Sequence, residues 1–296
     1  MNFCEFAASV GLLSNSFVAD GRIHRCGTVN HPRSKNGAYW YDGKRGWCMR
    51  WGAVDVTWWN DQNVKPWSAQ EKKEWSDQRR IDEKKRIEGY SSAASKASQM
   101  LSECVIDTHA YLRSKQLPEA KGMVYTDGSL LIPMRDSLTN KLNGVQKIII
   151  NETRDKFIKK FLPGMKAKGS VFKIGSGKKI ILVEGYATGL SVFEAVRQMR
   201  IDASVMCCFS ASNMVYVSKD HGNFVMSDCD ASRTGEQAAI DTGLPWIMPE
   251  KEGLDWNDVH ANDGLMRVCF ALNNLLTKKH ECINIVSSSS CPDDLD

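Results

Sequence analysis

The chain has 296 residues, 42% of them hydrophobic and 25% charged, an ordinary globular composition that suits two domains and excludes a collagen-like or low-complexity protein. A net charge of +4 permits a basic face without announcing a nucleic-acid binder. No run of about 18 apolar residues occurs and the first ~20 residues lack a charged-then-apolar signal pattern, so the expectation is a cytoplasmic protein with no membrane partner.

Residues 1–66 read as a small β-rich module, with strand-like runs at 22–26, 37–41 and 46–51. Tyr39, Trp40, Tyr41, Trp47, Trp51, Trp58 and Trp59 alternate there with Arg22, Arg25, Arg33, Lys35, Lys44, Arg45 and Arg50. Aromatic faces beside cations are what a platform for single-stranded nucleic acid needs, and Trp40, Trp47, Arg25 and Arg50 are the candidates. The plainer reading puts these aromatics in a sheet core, and the two-residue period of a strand allows both. His24, Cys26, His31 and Cys48 are candidate zinc ligands, although the tight Cys-x₂₋₄-Cys spacing of structural zinc sites is missing. The ten cysteines are scattered without a CxxC pair, which argues against a disulfide framework.

Residues 67–100 read as a charged helical linker, with 13 of the 22 residues from 68 to 89 charged and suited to i,i+4 pairs. The small-residue stretch 91–98 either hinges it or begins a second helix running to about Ser114. Residues 101–177 are basic. Strands are expected at 130–136 and 144–146, joined by a turn in which Asn140 tolerates positive φ. Ten lysines and arginines then fall between Lys147 and Lys179, either a phosphate-binding surface or a solvated face.

In residues 178–278, the apolar run Ile180-Ile181-Leu182-Val183 ends in Glu184, and Phe224-Val225-Met226 leads into Asp228-x-Asp230. The block Asp255-Trp256-Asn257-Asp258 is expected at a third strand end. A parallel α/β sheet gathers such carboxylates at its carboxyl edge. Clustered carboxylates hold Mg²⁺ together with substrate phosphates, which points to phosphoryl chemistry; strand-end acids also serve as turn formers and helix caps. Residues 264–276 read as an amphipathic helix packed on the sheet, and 279–296 as a disordered acidic tail. No GxxxxGK[ST] loop occurs, so no helicase motor is expected.

The series Val183-Glu184-Gly185-Tyr186-Ala187-Thr188-Gly189, Ser227-Asp228-Cys229-Asp230 with Gly235, and Asp255-Trp256-Asn257-Asp258 resembles the TOPRIM domain of bacterial-type primases, in the version found in phages and plasmids. Tyr111-Leu112-Arg113, the strand 130–136, Gly144-Val145-Gln146 and Lys159-Lys160-Phe161-Leu162 with Lys168-Gly169-Ser170 extend that likeness to the primase subdomain preceding TOPRIM. Residues 20–47 look like the zinc-binding-type module ahead of some phage primases, with the usual cysteine pairs absent. The resemblance implies an α+β and α/β chain: a small β module, a linker helix and a primase-type core. It implies a DNA primase making RNA primers on single-stranded DNA from ribonucleoside triphosphates, beside a separate replicative helicase, in a bacterial host cell. Glu184, Asp228 and Asp230 would be catalytic; these with Asp255 and Asp258 would hold Mg²⁺ or Mn²⁺; Lys159, Lys160, Lys168 and Arg135 would hold phosphates. A TOPRIM nuclease and a non-catalytic single-strand-binding accessory are the alternatives.

Overall fold

The computed structural model describes residues 1–14, 16–33, 35–50, 56–61, 68–151 and 156–277, and the chain divides into two compact units, Met1–Arg80 and Ile81–Asp296. Trp51, Arg154 and the tail 279–296 lie outside the described residues.

The first unit is an antiparallel meander. Helix α1 (Phe3–Ser9) is opened by a capping box, in which the Asn2 side chain accepts the Glu5 N–H and the Glu5 carboxylate accepts the Asn2 N–H. Strands β1 (Leu12–Leu13), β2 (Ile23–Thr28), β3 (Gly37–Tyr41), β4 (Arg45–Arg50) and β5 (Thr57–Asn60) follow in spatial order. Alternation sorts their side chains onto two faces. The inner face buries Cys26, Tyr39, Cys48 and Trp59 against Phe3, Phe6 and Ala7 of α1. Phe3 stacks on Tyr41 with ring centres 4.2 Å apart, and a Cβ at Gly46 would stand 2.2 Å from the Phe3 ring, so this position has to lack a side chain. On the outer face, strand register aligns Ile23, Trp40, Trp47 and Trp58 in one row. The core reading therefore holds for part of the set: Tyr39, Tyr41 and Trp59 pack in the core, while Trp58 is 63% exposed on the outer face. Arg25 alternates onto the outer face, but Arg50 follows Cys48 onto the inner one, with its guanidinium beside Gly11; it does not share a surface with Trp40 and Trp47.

The four candidate zinc ligands are not brought together. His24 bonds Asp20 at 2.9 Å and stacks on Tyr39, and His31 sits in an exposed turn. Burial pushes the Cys26 thiol up and the Cys48 thiol up to about 12, and both lie in the apolar cluster beneath α1.

Helix α2 (Ala69–Ser102) runs unbroken through the small-residue stretch 91–98 and stops at Ser102, so neither a hinge nor a helix reaching Ser114 forms. The stretch has a packing role instead: Ala97 and Met100 lie against Leu131 and Val145, where short side chains allow close approach. After β6 (Val105–Asp107), α3 (Ala110–Ser114) and β7 (Gly122–Val124) come β8 (Leu130–Asp136), β9 (Leu142–Asn151), β10 (Lys156–Phe161) and β11 (Ser170–Ile174), all antiparallel to their partners. The β8–β9 turn carries Asn140 at φ +58°, and the Asp136 carboxylate accepts from Thr139 and Lys166.

The second half of the sheet is parallel: β12 (Lys179–Val183), α4 (Tyr186–Gln198), β13 (Ala203–Cys207), α5 (Ala211–Val217), β14 (Phe224–Met226), α6 (Thr234–Thr242), β15 (Trp246–Ile247), α7 (Trp256–Asp263) and α8 (Leu265–Thr277). Its spatial order is β13-β12-β14-β15, with β11 joining the two halves. Ile181 and Val183 pack toward α4, α7 and α8, and Leu182 toward α5 and α6, which is why this strand is apolar on both faces. The fold is thus mixed α and β, with a doubly covered parallel sheet. The chain leaves β12 for β13 on one side and returns to β14 on the other, so the strand order switches at the carboxyl end of β12, where open α/β sheets form ligand crevices.

Candidate functional site

Glu184 is the residue after β12, at that switch point. Gly185 opens α4 without any side-chain cap, leaving the first-turn N–H groups of that helix able to receive an anion. Asp228 lies two residues beyond β14, which pairs directly with β12. Asp255 does not stand at a strand end as expected: seven residues separate it from Ile247, and it is the N-cap of α7. The backbone pairing of Cys229 with Leu254 pins that loop and sets Asp255 beside Asp228.

These acids line one cleft of about 180 Å³, with Gln146, Lys159, Gly185, Tyr186, Ala187, Thr188 and Phe209 completing its wall. A larger cavity of about 470 Å³ lies between the β15 edge and α7–α8, but it holds none of the strand-end acids, and its Glu250 and Arg267 are already paired.

Charge and hydrogen bonding set Glu184 and Asp228 apart from Asp230 and Asp258. Burial, then the charges of Asp255 and Glu184, push the Asp228 carboxyl up to about 8, and its Oδ1 is buried without a hydrogen-bond partner. Burial and the charge of Asp230 also raise Glu184. Asp230 goes the other way. Burial works to raise it and is outweighed by hydrogen bonds from the Ser232 hydroxyl and the N–H groups of Ser232, Thr234 and Gly235, so this carboxylate is committed to the turn that opens α6. Asp258 is likewise committed. It completes a capping box with Asp255 (2.8 and 3.1 Å) and faces the Lys115 ammonium at 3.5 Å. Among the described residues no three His, Cys, Asp or Glu side chains stand close enough to hold a single metal ion. Magnesium needs fewer: it is commonly held by one or two carboxylates plus waters and phosphates, and the partnerless Asp228 oxygen among acids fits that arrangement.

Of the basic candidates only Lys159 lines the cleft, its ammonium 5.5 Å from the centre of the Tyr111 ring. Lys160 is next to it on β10 and so faces the other side of the sheet. Lys168 lies over the Tyr216 ring at 4.6 Å, and Arg135 donates to the Asn140 carbonyl; neither lines the cleft.

Three contributors lie outside the candidates named from the sequence. Gln146 interrupts an inward-facing series with Ile148, a signal visible in alternation. Phe209 adopts φ +65°, donates its N–H to the Glu184 carbonyl at 2.8 Å and meets Phe161 edge-on; nothing in the local sequence announces it. Asn257 donates to the Lys115 carbonyl and to Ser191 Oγ, anchoring the start of α7 and hence Asp255.

No protein-family model matches this sequence, and no curated protein matches it.

Proposed function

We propose that this chain is a template-directed nucleotidyltransferase of the primase class, with a TOPRIM-type catalytic core, making short RNA primers on single-stranded DNA. The observation that carries the reading is the convergence of Glu184, Asp228 and Asp255 with Lys159 and the uncapped start of α4 on one cleft at the switch point of a parallel sheet. Acids and anion-binding groups in one small cleft suit a ligand that brings both phosphates and divalent cations. The motif series around Glu184, Asp228 and Asp255 resembles TOPRIM, and the likeness of residues 111–175 to the primase subdomain that precedes it favours a primase over a nuclease.

In this reading a primer 3′-hydroxyl attacks the α-phosphate of a ribonucleoside triphosphate and pyrophosphate departs. Asp228, with Glu184 or Asp255, would hold Mg²⁺ or Mn²⁺, which supplies neutralisation of the phosphate charge when bound. Lys159 and the α4 N–H groups bind phosphate oxygens. Glu184, its carboxyl raised by burial above its ordinary value, is suited to take the proton of the attacking hydroxyl. The outer row of Trp40, Trp47 and Trp58 gives single-stranded template a stacking surface. A separate replicative helicase would supply the opened strand and a high local template concentration.

The test is incubation of the full chain with single-stranded DNA, labelled ribonucleotides and Mg²⁺ or Mn²⁺. Short RNA products that disappear in Glu184→Gln and Asp228→Asn are expected. Shortened DNA would identify a nuclease, and neither product would reduce the chain to a binding module. Stimulation by the helicase encoded in the same genome tests the partner.

A further inference from the structure

Gln146 lies on β9 opposite Ile132 and Phe161. It shares its face with Ile148, which packs in the cluster of Tyr111, Leu112, Leu130, Ile132 and Tyr186. Its register partners Ile132 and Phe161 fill space with apolar and aromatic groups, whereas Gln146 brings a carboxamide. The residue is only 7% exposed and its side chain makes no hydrogen bond with any described residue. The amide group itself still reaches solvent, unlike the fully enclosed Oδ1 of Asp228, so it is free to hydrogen-bond to whatever occupies that opening. Its open side is the cleft it lines with Lys159, Glu184, Asp228 and Asp255.

The donors around that cleft are unequal. The carboxylates, once ionised, only accept, and Lys159 is the one cation in the lining among the described residues. A second lysine there would pair with the acids and quench them. A carboxamide offers two N–H donors without adding charge, so it can hold a phosphate oxygen beside carboxylates while leaving their charge for a cation.

We propose that Gln146 is a ligand-binding residue of this cleft, its carboxamide donating to a phosphate oxygen of the bound nucleotide. The inference rests on the nucleotide-binding reading above and names a residue which that reading did not require.

The experiment measures two affinities on the full chain, for Mn²⁺ alone by water-proton relaxation and for GTP with Mn²⁺ by calorimetry. Gln146→Met keeps length and bulk but has no donor, and Gln146→Glu keeps shape but only accepts once ionised. Both are expected to bind Mn²⁺ at least as well as the native chain within about twofold, and GTP at least about tenfold more weakly, the size of one lost hydrogen bond to a charged group. Gln146→Met without ligand should melt no lower than the native chain. Native GTP affinity in Gln146→Met would overturn this inference and leave the proposed function standing. A native chain that binds Mn²⁺ but no GTP would overturn both. Loss of Mn²⁺ and GTP together with a markedly lower melting temperature would assign the amide to internal packing and also overturn the inference.

Discussion

Glu184 and Asp228 stand at the carboxyl ends of two directly paired parallel strands, and each faces the same small cleft. Folding brings them out of water together, and the Glu184 charge adds to the burial that holds Asp228 protonated near neutral pH. Glu184 is itself raised, by burial and by the charge of Asp230, and the two carboxyls persist at a cost in stability that a bound cation would relieve.

That cost is measurable in metal-free protein. The Asp228 carboxyl titrates at 3.8 in an unfolded chain and at about 8 in the fold. The stability it contributes is therefore full below about pH 4 and is lost as pH rises toward 8, at a rate of at most ~1.4 kcal/mol for each step of one in pH. Asp228→Asn mimics the protonated state at every pH. With chelator present it should melt higher than the native chain at pH 8, with the difference shrinking toward pH 4; a constant difference across that range would contradict the assignment. Asp230→Ala should do the reverse, losing about 1 kcal/mol at neutral pH because it removes the acceptor that opens α6.

Lys159 and Lys160 are neighbours in sequence and opposite in space. Lys159→Ala should weaken GTP binding in the presence of Mn²⁺ by about tenfold, while Lys160→Ala should change it less than about twofold, since only the first ammonium faces the cleft. Equal losses would mean that the charge of the strand matters and its facing does not.

Gly235 is required by close approach. A Cβ there would stand 2.5 Å from the Asp228 carbonyl oxygen and 3.0 Å from Ser227 Oγ, and the backbone atom cannot swing aside. Gly235→Ala should cost about 1–3 kcal/mol in denaturant unfolding and displace Asp228, lowering Mn²⁺ affinity as well. A variant with native stability and native metal affinity would show that α6 can retreat freely.

Adjacent tryptophans at 58 and 59 should separate stacking from packing. Trp59 is 9% exposed among the rings of α1 and the inner sheet face, so Trp59→Ala should destabilise the first unit by about 3–5 kcal/mol. Trp58→Ala should leave melting unchanged and weaken single-stranded DNA binding by ~1–3 kcal/mol, read by anisotropy at fixed low salt. DNA affinity unaffected by Trp58→Ala and Trp47→Ala would leave the outer row without a role in template contact.

Sequence pattern located β2, β3, β4, β8, β12, β14 and part of β9, with the acids that follow β12 and β14, and left the other strands unmarked. The apolar run into Glu184 and the one into Asp228 have the composition of strands buried on both faces, and local pattern is enough to place such elements. It also marked Asn140 as the turn residue, because tolerance of positive φ is a property of the side chain alone. Which carboxylates remain available was decided only by tertiary structure. Asp230 and Asp258 look equivalent to Asp228 in the chain, but hydrogen bonds at two helix starts commit them elsewhere. Asp255 reaches the cleft because a loop is pinned to Cys229, a pairing across 25 positions that no local pattern encodes. The same holds for Lys159 against Lys160, Arg25 against Arg50, and the scattered His24, Cys26, His31 and Cys48. Residue type records what a side chain can do, whereas strand register and packing fix which groups it can reach.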